Sequence, residues 1–428
     1  MSLERRLKDG LSAPDVGFDE SALERDLHEV VQRGRRRRRT RQLVTVVATV
    51  AVVVGAAVVA PRALEALRSV GDTRPAGPPE LKGIITTVAG IGVAKSSGDG
   101  GPAVEAGIRY PYDLVVDSAS DLYILESGRV RKVDGSGRIT TVVGPPATDE
   151  PNALTEAHQL RLGRSVNALA IDAEDNLYVG GGDGKHFMVN RISSSGDVTR
   201  IAGTGRPGFS GDGGPATDAA LGWVYDLAVD RAGNVYIVDQ DNNRIRMVDT
   251  NGVITTIAGT GEPGWSGDFG PATDAQVDHP WGIALDEGGN VYFTQLPSVV
   301  RRIDAATRVI TTIAGSGRAG YAGDGGSATE ARMNSPEHVA VDTEGNVYIE
   351  DTGNHCIRMV GLEGIIRTIA GTCQRGFNGD GGAARSARLS EPSGMLLTDD
   401  GVLYIADSGN NRVRRVIPLD RSRTTSRS

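Results

Sequence analysis

The sequence predicts an all-β protein: a six-bladed β-propeller closed by an N-terminal outer strand and preceded by one transmembrane helix. Three observations support this prediction. A β-branched run recurs six times, and its last residue is Gly90, Gly144, Gly203, Gly259, Gly315 or Gly371. A strand-like segment with a central tyrosine recurs six times at the same period of about 56 residues, which is typical of repeat architectures. An uncharged stretch, 43–60, precedes both repeats.

The stretch 43–60 has the length and polarity of a membrane-spanning helix. Its 18 residues contain no charge, and at about 1.5 Å per residue they span roughly 27 Å, close to the hydrocarbon core of a bilayer. The preceding arginines, 33, 35–39 and 41, predict a cytoplasmic N-terminus and an outer C-terminal domain. The alternatives are a cleaved signal peptide, which would have a shorter leading segment, and a buried core helix, which the arginines disfavour.

These signals divide the 428 residues into five parts. We expect a basic cytoplasmic tail over 1–41, the transmembrane helix over 42–60, a linker over 61–83, the propeller over 84–418 and a disordered tail over 419–428. Beyond residue 41 the chain contains 35 basic and 46 acidic side chains. Because phosphate contacts need Lys and Arg, this acidic balance argues against nucleic acid as a partner.

Each repeat reads as four antiparallel strands joined by tight turns. In the fourth repeat the alternating or β-branched segments are 282–286, 290–294, 299–304 and 310–314, with Gly, Asp and Asn residues between them. Four such strands make a propeller blade. The run 85–90 precedes any complete repeat, and the last repeat lacks a fourth strand. We therefore predict that the N-terminal strand completes the last blade and closes the ring.

Two segments resemble the NHL repeat: NVYIVDQDNNRIR over 234–246 and VLYIADSGNNRVR over 402–414. The resemblance extends over 84–417. GFSGDGGPATDAAL over 208–221 is similar to the Gly-Asp-rich loops of bacterial and teneurin-type NHL propellers, and a membrane-anchored bacterial type is expected. Blade one is two residues short after its tyrosine, and blade two lacks a Gly-Asp-Gly-Gly loop. The resemblance implies a six-bladed propeller used mostly to bind ligands or proteins, and it implies no single chemistry.

The candidate ligand-binding site is the mouth of the central channel, where each innermost strand begins. The long loops, between second and third strands and between blades, lie on this face of a propeller. The mouth residues are polar or aromatic and differ from blade to blade, which predicts a site that breaks the symmetry of the ring. They are Tyr112, Asp113, Asn167, Tyr225, Asp226, Trp281, Glu337, His338 and Ser393. The alternative is that these side chains only fill a wet channel mouth.

Other recurring polar residues are interpreted as architecture. The aspartates of the Gly-Asp-Gly-Gly loops fit tight turns, with calcium as the alternative because it prefers oxygen ligands; they are Asp99, Asp212, Asp268, Asp324 and Asp380. The aspartates three residues before an asparagine fit Asx turns; they are Asp239, Asp351 and Asp407. The arginines ten residues after the tyrosine are expected in exposed, weak pairs between blades; they are Arg246, Arg302, Arg358 and Arg414.

The two cysteines are placed to form a disulfide. Cys356 begins the third strand of blade five, and Cys373 follows its fourth strand. Antiparallel pairing brings both to the same face, and an environment outside the membrane permits the bond. Free buried thiols are the alternative.

The sequence favours a binding protein over an enzyme. One histidine at a mouth position, His338, is too few for the three-histidine metal site of lyase-type NHL propellers. Asp113, Asn167, Asp226 and Glu337 could imitate the channel set of calcium-dependent lactonases, and no nucleophile motif is present. We therefore expect a membrane-anchored extracellular recognition domain that binds a protein, peptide or cell-envelope glycan without a cofactor. A calcium-dependent lactonase or hydrolase is the alternative, and a receptor that signals through 1–41 is a third reading.

Overall fold

The computed structural model describes residues 83–146, 155–162, 166–182 and 185–418. These residues form six antiparallel sheets, five of four strands and one of five. Within this part of the chain no helix is long and apolar enough to cross a membrane. The predicted tail 1–41, the transmembrane helix 42–60, nearly all of the linker 61–83 and the tail 419–428 lie outside the described residues.

The strands of the first three blades follow the chain order from the channel outwards. Blade one contains β2 (Asp113–Val116), β3 (Leu122–Glu126), β4 (Arg129–Val133) and β5 (Ile139–Val143). Blade two contains β6 (Leu169–Ile171), β7 (Leu177–Gly182), β8 (Lys185–Ile192) and β9 (Val198–Ala202). Blade three contains β10 (Val224–Val229), β11 (Val235–Asp239), β12 (Arg244–Val248) and β13 (Ile254–Ala258).

The next two blades repeat this order, and the last blade is completed from the other end of the chain. Blade four contains β14 (Ile283–Leu285), β15 (Val291–Gln295), β16 (Val299–Ile303) and β17 (Ile310–Ala314). Blade five contains β18 (Pro336–Val341), β19 (Val347–Asp351), β20 (Cys356–Val360) and β21 (Ile366–Ala370). Blade six contains β23 (Gly394–Leu397), β24 (Leu403–Asp407), β25 (Arg412–Pro418) and β1 (Gly83–Ala89), with β22 (Gly382–Ala383) beside β1.

The ring closes as predicted. β1 pairs antiparallel with β25, and Gly83 lies opposite Pro418. Both ends of the described chain therefore leave from one face, on which the turns between first and second strands lie; we call it the turn face. The opposite face, which carries the loops between second and third strands, is called the mouth face. Closure by strands from both chain ends removes an open sheet edge.

Short helices occupy equivalent places in the connections. In the connectors that lead into blades, the 3₁₀ turns are Ala103–Glu105, Ala216–Asp218, Ala272–Asp274, Ala328–Glu330 and Ala384–Ser386, and blade two has the α-helix α1 (Glu156–Gln159). In the loops after second strands they are Gln240–Asn242, Thr352–Asn354 and Ser408–Asn410. Each connector helix buries one alanine, for example Ala216 and Ala157, under the outer part of a blade.

The hydrophobic core lies between neighbouring blades. Each buried cluster combines residues from two consecutive blades, as Val189 of blade two packs in one cluster with Val224 of blade three. The last cluster joins Ala406 of blade six to Leu114 of blade one. Because each blade buries its faces only against its neighbours, the closed ring is needed to cover all of them.

The turn between first and second strands is fixed by an aspartate. In blade three, the Oδ1 atom of Asp230 accepts the backbone N–H groups of Ala232 (3.0 Å) and Asn234 (2.8 Å). Its Oδ2 atom accepts the Asn234 side chain at 2.8 Å and the Tyr236 hydroxyl at 3.3 Å. The same tyrosine-to-aspartate bond recurs in blades one, two, four and five. The recurring tyrosine is thus conserved between blades because its hydroxyl locks the first hairpin.

Candidate functional site

The innermost strands place large polar and small residues alternately around the channel. Blades one, three and five contribute Asp113, Asp226 and His338, all nearly fully buried. At the corresponding positions, blades two, four and six have Ala168, Gly282 and Gly394. A Cβ atom on Gly282 would collide with the backbone of blade five, and one on Gly394 would collide with the backbone of blade one. The small residues therefore permit the inner strands to approach each other closely.

The two channel aspartates hold neighbouring blades together. Asp226 accepts the N–H group of Leu227 on its own strand at 2.7 Å and that of Ile283 in blade four at 2.8 Å. Asp113 accepts the N–H group of Leu169 in blade two at 2.9 Å in the same way. The structure therefore gives both predicted ligand-binding residues an evident structural task, since they satisfy buried backbone donors across a blade boundary.

Burial controls the protonation of these side chains. Desolvation raises the pKa of Asp226 to about 8, although two backbone N–H groups act in the opposite direction. The pKa of Asp113 is raised by burial and by the charge of Asp226. His338 lies with its Nδ1 atom 3.9 Å from Asp226 Oδ2, and burial lowers its pKa to about 4. The imidazole is therefore neutral near pH 7, and it supplies no full charge to offset the acids.

Glu350 is a channel-side carboxyl group that the sequence analysis did not select. It lies on β19 directly opposite His338 of β18 and is completely buried. Neither of its oxygens accepts a hydrogen bond from the described residues, and the Gly394 amide offsets the rise of its pKa only in part. Burial, followed by the charges of Glu337 and Asp113, raises its pKa well above the usual range. The signal was available: the corresponding residues of the other repeats are uncharged.

The remaining predicted residues form a half-buried rim at the mouth. Tyr225 donates its hydroxyl to Glu337 Oε2 at 3.3 Å, and this contact joins blades three and five across the channel. Burial is the main cause that raises the pKa of Glu337, to about 7, and that of Tyr225 well above its usual value. Burial is also the main cause that raises the pKa of Tyr112, and the charge of Glu337 acts in the same direction. These three side chains therefore belong to one electrostatic cluster.

The other rim residues stand at the inner-strand starts of the even blades. Asn167, Trp281 and Ser393 are half-buried in blades two, four and six. Ser393 donates its hydroxyl back to the carbonyl of Glu391 at 3.1 Å. Below the rim the channel narrows to a cavity of about 220 Å³ whose walls, apart from Asp113, Asp226 and His338, are apolar. The arrangement is a polar, aromatic opening above a small apolar channel.

The recurring arginines are buried, which corrects the sequence-based expectation of exposed pairs between blades. Arg246 is fully buried, with its guanidinium 2.8 Å from Asp212 Oδ1 and 3.3 Å from Asp239 Oδ2. Asp212 lies on the connector that leads into the same blade, and its Oδ2 atom accepts the Thr256 hydroxyl at 2.7 Å. The pair thus fastens each connector onto its own blade. The equivalent arginines are Arg131, Arg301, Arg358 and Arg414.

Blade four also corrects the residue that was selected. The spacing of ten residues from the tyrosine predicts Arg302, but Arg301 is the buried residue and Arg302 is a half-exposed partner of Asp304 at 3.0 Å. The loop before β16 is one residue shorter than in blade three, so counting from the tyrosine ends one position late. Since side chains alternate between faces of a strand, this slip exchanges a buried position for an exposed one.

The loop aspartates are ion-pair partners of these arginines in the structure. Asp99, Asp268, Asp324 and Asp380 each lie 2.6–2.8 Å from the guanidinium of their own blade. Among the described residues, no group of three or more His, Cys, Asp or Glu side chains is placed to hold a metal ion. Cys356 and Cys373 form a disulfide that ties β20 to the connector after β21.

Comparisons with known proteins agree with this architecture. A family model described as the teneurin NHL domain matches residues 205–264 and 317–376, and one described as the NHL repeat matches 389–416. The chain is 27% identical to mouse teneurin-1 over 372 residues, which cover 78% of this chain and 13% of teneurin-1. It is 25% identical to Drosophila melanogaster teneurin-m over 74% of this chain and 12% of that protein. The aligned region spans about an eighth of the length of these relatives.

Solved structures share the fold at lower identity. A Bacteroides thetaiotaomicron protein of unknown function superimposes with a TM-score of 0.57 and 21% identity, over 78% of this chain and 75% of that chain. An auxiliary nutrient binding protein from the same species gives 0.55 and 17%, over 78% and 76%. The family-model matches therefore show NHL repeats within the six-bladed propeller, and the solved structures share its fold.

Proposed function

We propose that this chain is a membrane-anchored extracellular recognition module that binds a protein, peptide or cell-envelope glycan at the channel mouth. The observation that carries the proposal is the half-buried rim in which Tyr225 and Glu337 meet across the channel at 3.3 Å. Unlike the buried arginines, the rim residues vary between blades, with tyrosine only in blades one and three, so the opening presents one asymmetric set of aromatic and polar groups. Such a concave, partly desolvated surface is typical of a binding site.

The position of the chain ends supports an anchored arrangement. β1 begins at Gly83 on the turn face, so a tether that precedes Gly83 joins the propeller on the face opposite the mouth. The disulfide between Cys356 and Cys373 is consistent with an oxidising compartment, because such bonds persist mainly outside the cytoplasm. A calcium-dependent hydrolase gains no support from any grouping of donor side chains in the described part of the chain.

Binding at the mouth is tested with two matched aromatic substitutions in the full chain, displayed on cells that produce it. Trp281→Ala removes a side chain of the rim. Phe269→Ala removes an aromatic side chain that lies on a connector and is itself 83% exposed. Surface crosslinking followed by mass spectrometry should identify a ligand that is retained by the parent and by Phe269→Ala and lost with Trp281→Ala. Equal capture by all three proteins would contradict a site at the mouth.

The proposed orientation is tested separately. Protease added to intact cells should degrade the propeller and leave an N-terminal epitope tag protected, because the chain is proposed to cross the membrane over 42–60 with its N-terminus inside. A deletion of 42–60 provides the control, since it should release the propeller from the membrane fraction. Protection of the propeller in intact cells would overturn the extracellular placement.

A further inference from the structure

A second concave surface lies at the other end of the channel, on the turn face. It is a bowl of about 1110 Å³, several times larger than the cavity below the mouth. The first-to-second-strand turns of blades three, four, five and six form its wall. Its floor is apolar, because the inner strands end there with the half-buried side chains of Val229, Leu285, Val341 and Leu397. A bowl of this size accommodates several residues of an extended peptide.

The wall of this bowl is strongly acidic. Seven carboxyl groups and one arginine line it. The arginine is Arg231, whose guanidinium lies 2.7 Å from the Glu287 carboxylate. The aspartates that begin the turns use their oxygens to hold the hairpins, but Glu287, Glu344 and Asp399 are exposed at the rim and do not cap the turns. Glu344 and Asp399 are therefore free to bind a ligand without loss of the turn structure, whereas Glu287 has to exchange its contact with Arg231 for one with the ligand.

The acidic field is confined to one side of the ring. In blade one, whose turn does not line the bowl, the Lys132 ammonium lies 2.9 Å from Asp117 and 2.8 Å from Asp121 and offsets their charge. In blade two, Arg191 lies 3.9 Å from Asp172. Of the seven carboxyl groups that line the bowl, Glu287 pairs with Arg231 at 2.7 Å and Glu363 pairs with Arg367 at 2.6 Å. The bowl thus combines an apolar floor with five wall carboxyl groups that have no ion-pair partner among the described residues.

We propose that this bowl binds a basic peptide segment, with Lys or Arg side chains on the carboxylate wall and apolar side chains on the floor. Charge complementarity of this kind steers association and fixes orientation, while the apolar floor supplies burial. A metal ion fits less well, because the described residues offer no group of three donors for one. The acidic wall also repels nucleic acid. The site is distinct from the mouth, so it does not depend on the function proposed above.

The test measures binding of two labelled octapeptides to the full chain in detergent by fluorescence anisotropy. One peptide alternates Lys and Leu, and the other alternates Glu and Leu. The Lys peptide should bind, with an affinity that falls as salt is raised, because exposed charges are screened within about 10 Å at 0.1 M salt. The Glu peptide should not bind. Absence of binding by the Lys peptide, or equal binding by both, would overturn the proposal.

Two triple variants locate the binding. Glu287→Gln with Glu344→Gln and Asp399→Asn neutralises the bowl rim. Glu105→Gln with Glu330→Gln and Asp218→Asn removes the same charges from exposed connector positions away from the bowl. The rim variant should weaken the Lys peptide at least tenfold and the connector variant less than twofold. Equal weakening by both would show a general attraction to an acidic protein, and it would overturn a built site.

A variant that is truncated after Pro418 tests whether the bowl binds an external peptide or the protein's own tail. Pro418 lines the bowl, and residues 419–428 contain three arginines and one aspartate. Unchanged affinity after removal of 419–428 is the expected result for an external peptide. A tenfold gain in affinity would assign the bowl to the tail and overturn an external occupant. Trp281→Ala should leave peptide affinity unchanged in either case, so failure at the mouth and failure at the bowl are distinguishable.

Discussion

Blades three and two have the same four-stranded architecture but different solutions at one buried position. In blade three Arg246 is fully buried and lies against Asp212 of the connector and Asp239 of β11. In blade two the corresponding residue is Asn190, whose amide donates to the Gly181 carbonyl at 2.7 Å. Blade two also lacks the Gly-Asp-Gly-Gly sequence that supplies the connector aspartate.

The difference indicates that the arginine and its connector aspartate are retained or lost as a set. A buried guanidinium without a partner loses its hydration and gains nothing in return, so loss of the loop aspartate alone would be costly. Blade four is intermediate. There Gln295 replaces the strand aspartate, Arg301 keeps only Asp268 at 2.7 Å, and its Nε–H group has no acceptor among the described residues. Burial lowers the pKa of Arg301.

The alanine helix of the connector, by contrast, is present in both blades. Gly203 donates its N–H group to the Ala216 carbonyl at 2.9 Å before blade three, and Gly144 donates to the Ala157 carbonyl at 2.9 Å before blade two. α1 thus replaces the 3₁₀ turn without changing how the connector meets the preceding outer strand. The blade boundary therefore requires the buried alanine, whereas the arginine layer adds a separate attachment.

The largest effect is expected when one partner of the blade-three set is removed. Asp239→Ala leaves Arg246 with a single acid and leaves the N–H group of Gly222, 2.6 Å from Asp239 Oδ1, without its acceptor. We expect the free energy of unfolding to fall by about 3–5 kcal/mol, as for other broken buried pairs. Urea denaturation provides the measurement.

The double variant Asp239→Ala with Arg246→Met is the control for this comparison. If the two residues act as a set, the double variant loses less stability than the sum of the single variants, because it leaves no unpaired buried charge. Strict additivity would show that the two side chains stabilise the blade independently. The set described above would then be wrong.

The disulfide of blade five is expected to give the next largest effect. Cys356 occupies the position of Arg244 in blade three, where the guanidinium donates to the Thr260 carbonyl and ties the third strand to the following connector. Cys356→Ala with Cys373→Ala opens a loop with a sequence separation of 17 and should cost about 3 kcal/mol in the chain-entropy model.

Arg244→Ala is the matched variant, because it removes the noncovalent form of the same connection. It should cost about 1 kcal/mol, the usual contribution of a hydrogen bond. Thermal unfolding of both variants, with and without reductant, compares the two connections. A reductant-insensitive parent would contradict a stabilising role for the disulfide.

A smaller effect is expected in blade two. Asn190→Ala removes one neutral hydrogen bond and leaves the buried carbonyl of Gly181 unsatisfied, which typically costs about 1–3 kcal/mol. The loss should be smaller than that of Asp239→Ala, because no charge is left unpaired. If Asn190→Ala loses more stability than Asp239→Ala in the same urea series, blade two depends more on the Asn190 hydrogen bond than blade three depends on its ion pairs.

The sequence was sufficient to predict the blades and the closure of the ring, because both depend on local patterns. Alternation and turn residues define each hairpin, and the order of the repeats at the two ends defines the closing strand. The buried arginines were beyond this reasoning, since Asp212 and Arg246 are 34 residues apart and meet only when the connector folds over its blade. A pattern along the sequence does not show whether such a pair is buried.

The candidate site shows the same limit. Asp113 and Asp226 were selected for a ligand because of their strand positions, but their hydrogen bonds to Leu169 and Ile283 depend on how closely the neighbouring blades approach. The acidic bowl was missed because its residues come from four turns that are about 56 residues apart, one turn per repeat. Each turn alone reads as an ordinary hairpin.

The smallest effect is expected at Arg302, which sharpens the distinction between faces of one strand. Its guanidinium pairs with Asp304 at 3.0 Å, with both side chains 32% exposed. Pairs of this kind contribute at most about 1 kcal/mol, so Arg302→Met should leave the urea midpoint almost unchanged. Arg301→Met, one residue away, removes a fully buried guanidinium and should cost distinctly more. Equal losses of unfolding free energy in the two variants would mean that burial does not decide which arginine of β16 holds the connector. The difference between blades two and three would then depend only on whether the residue is charged.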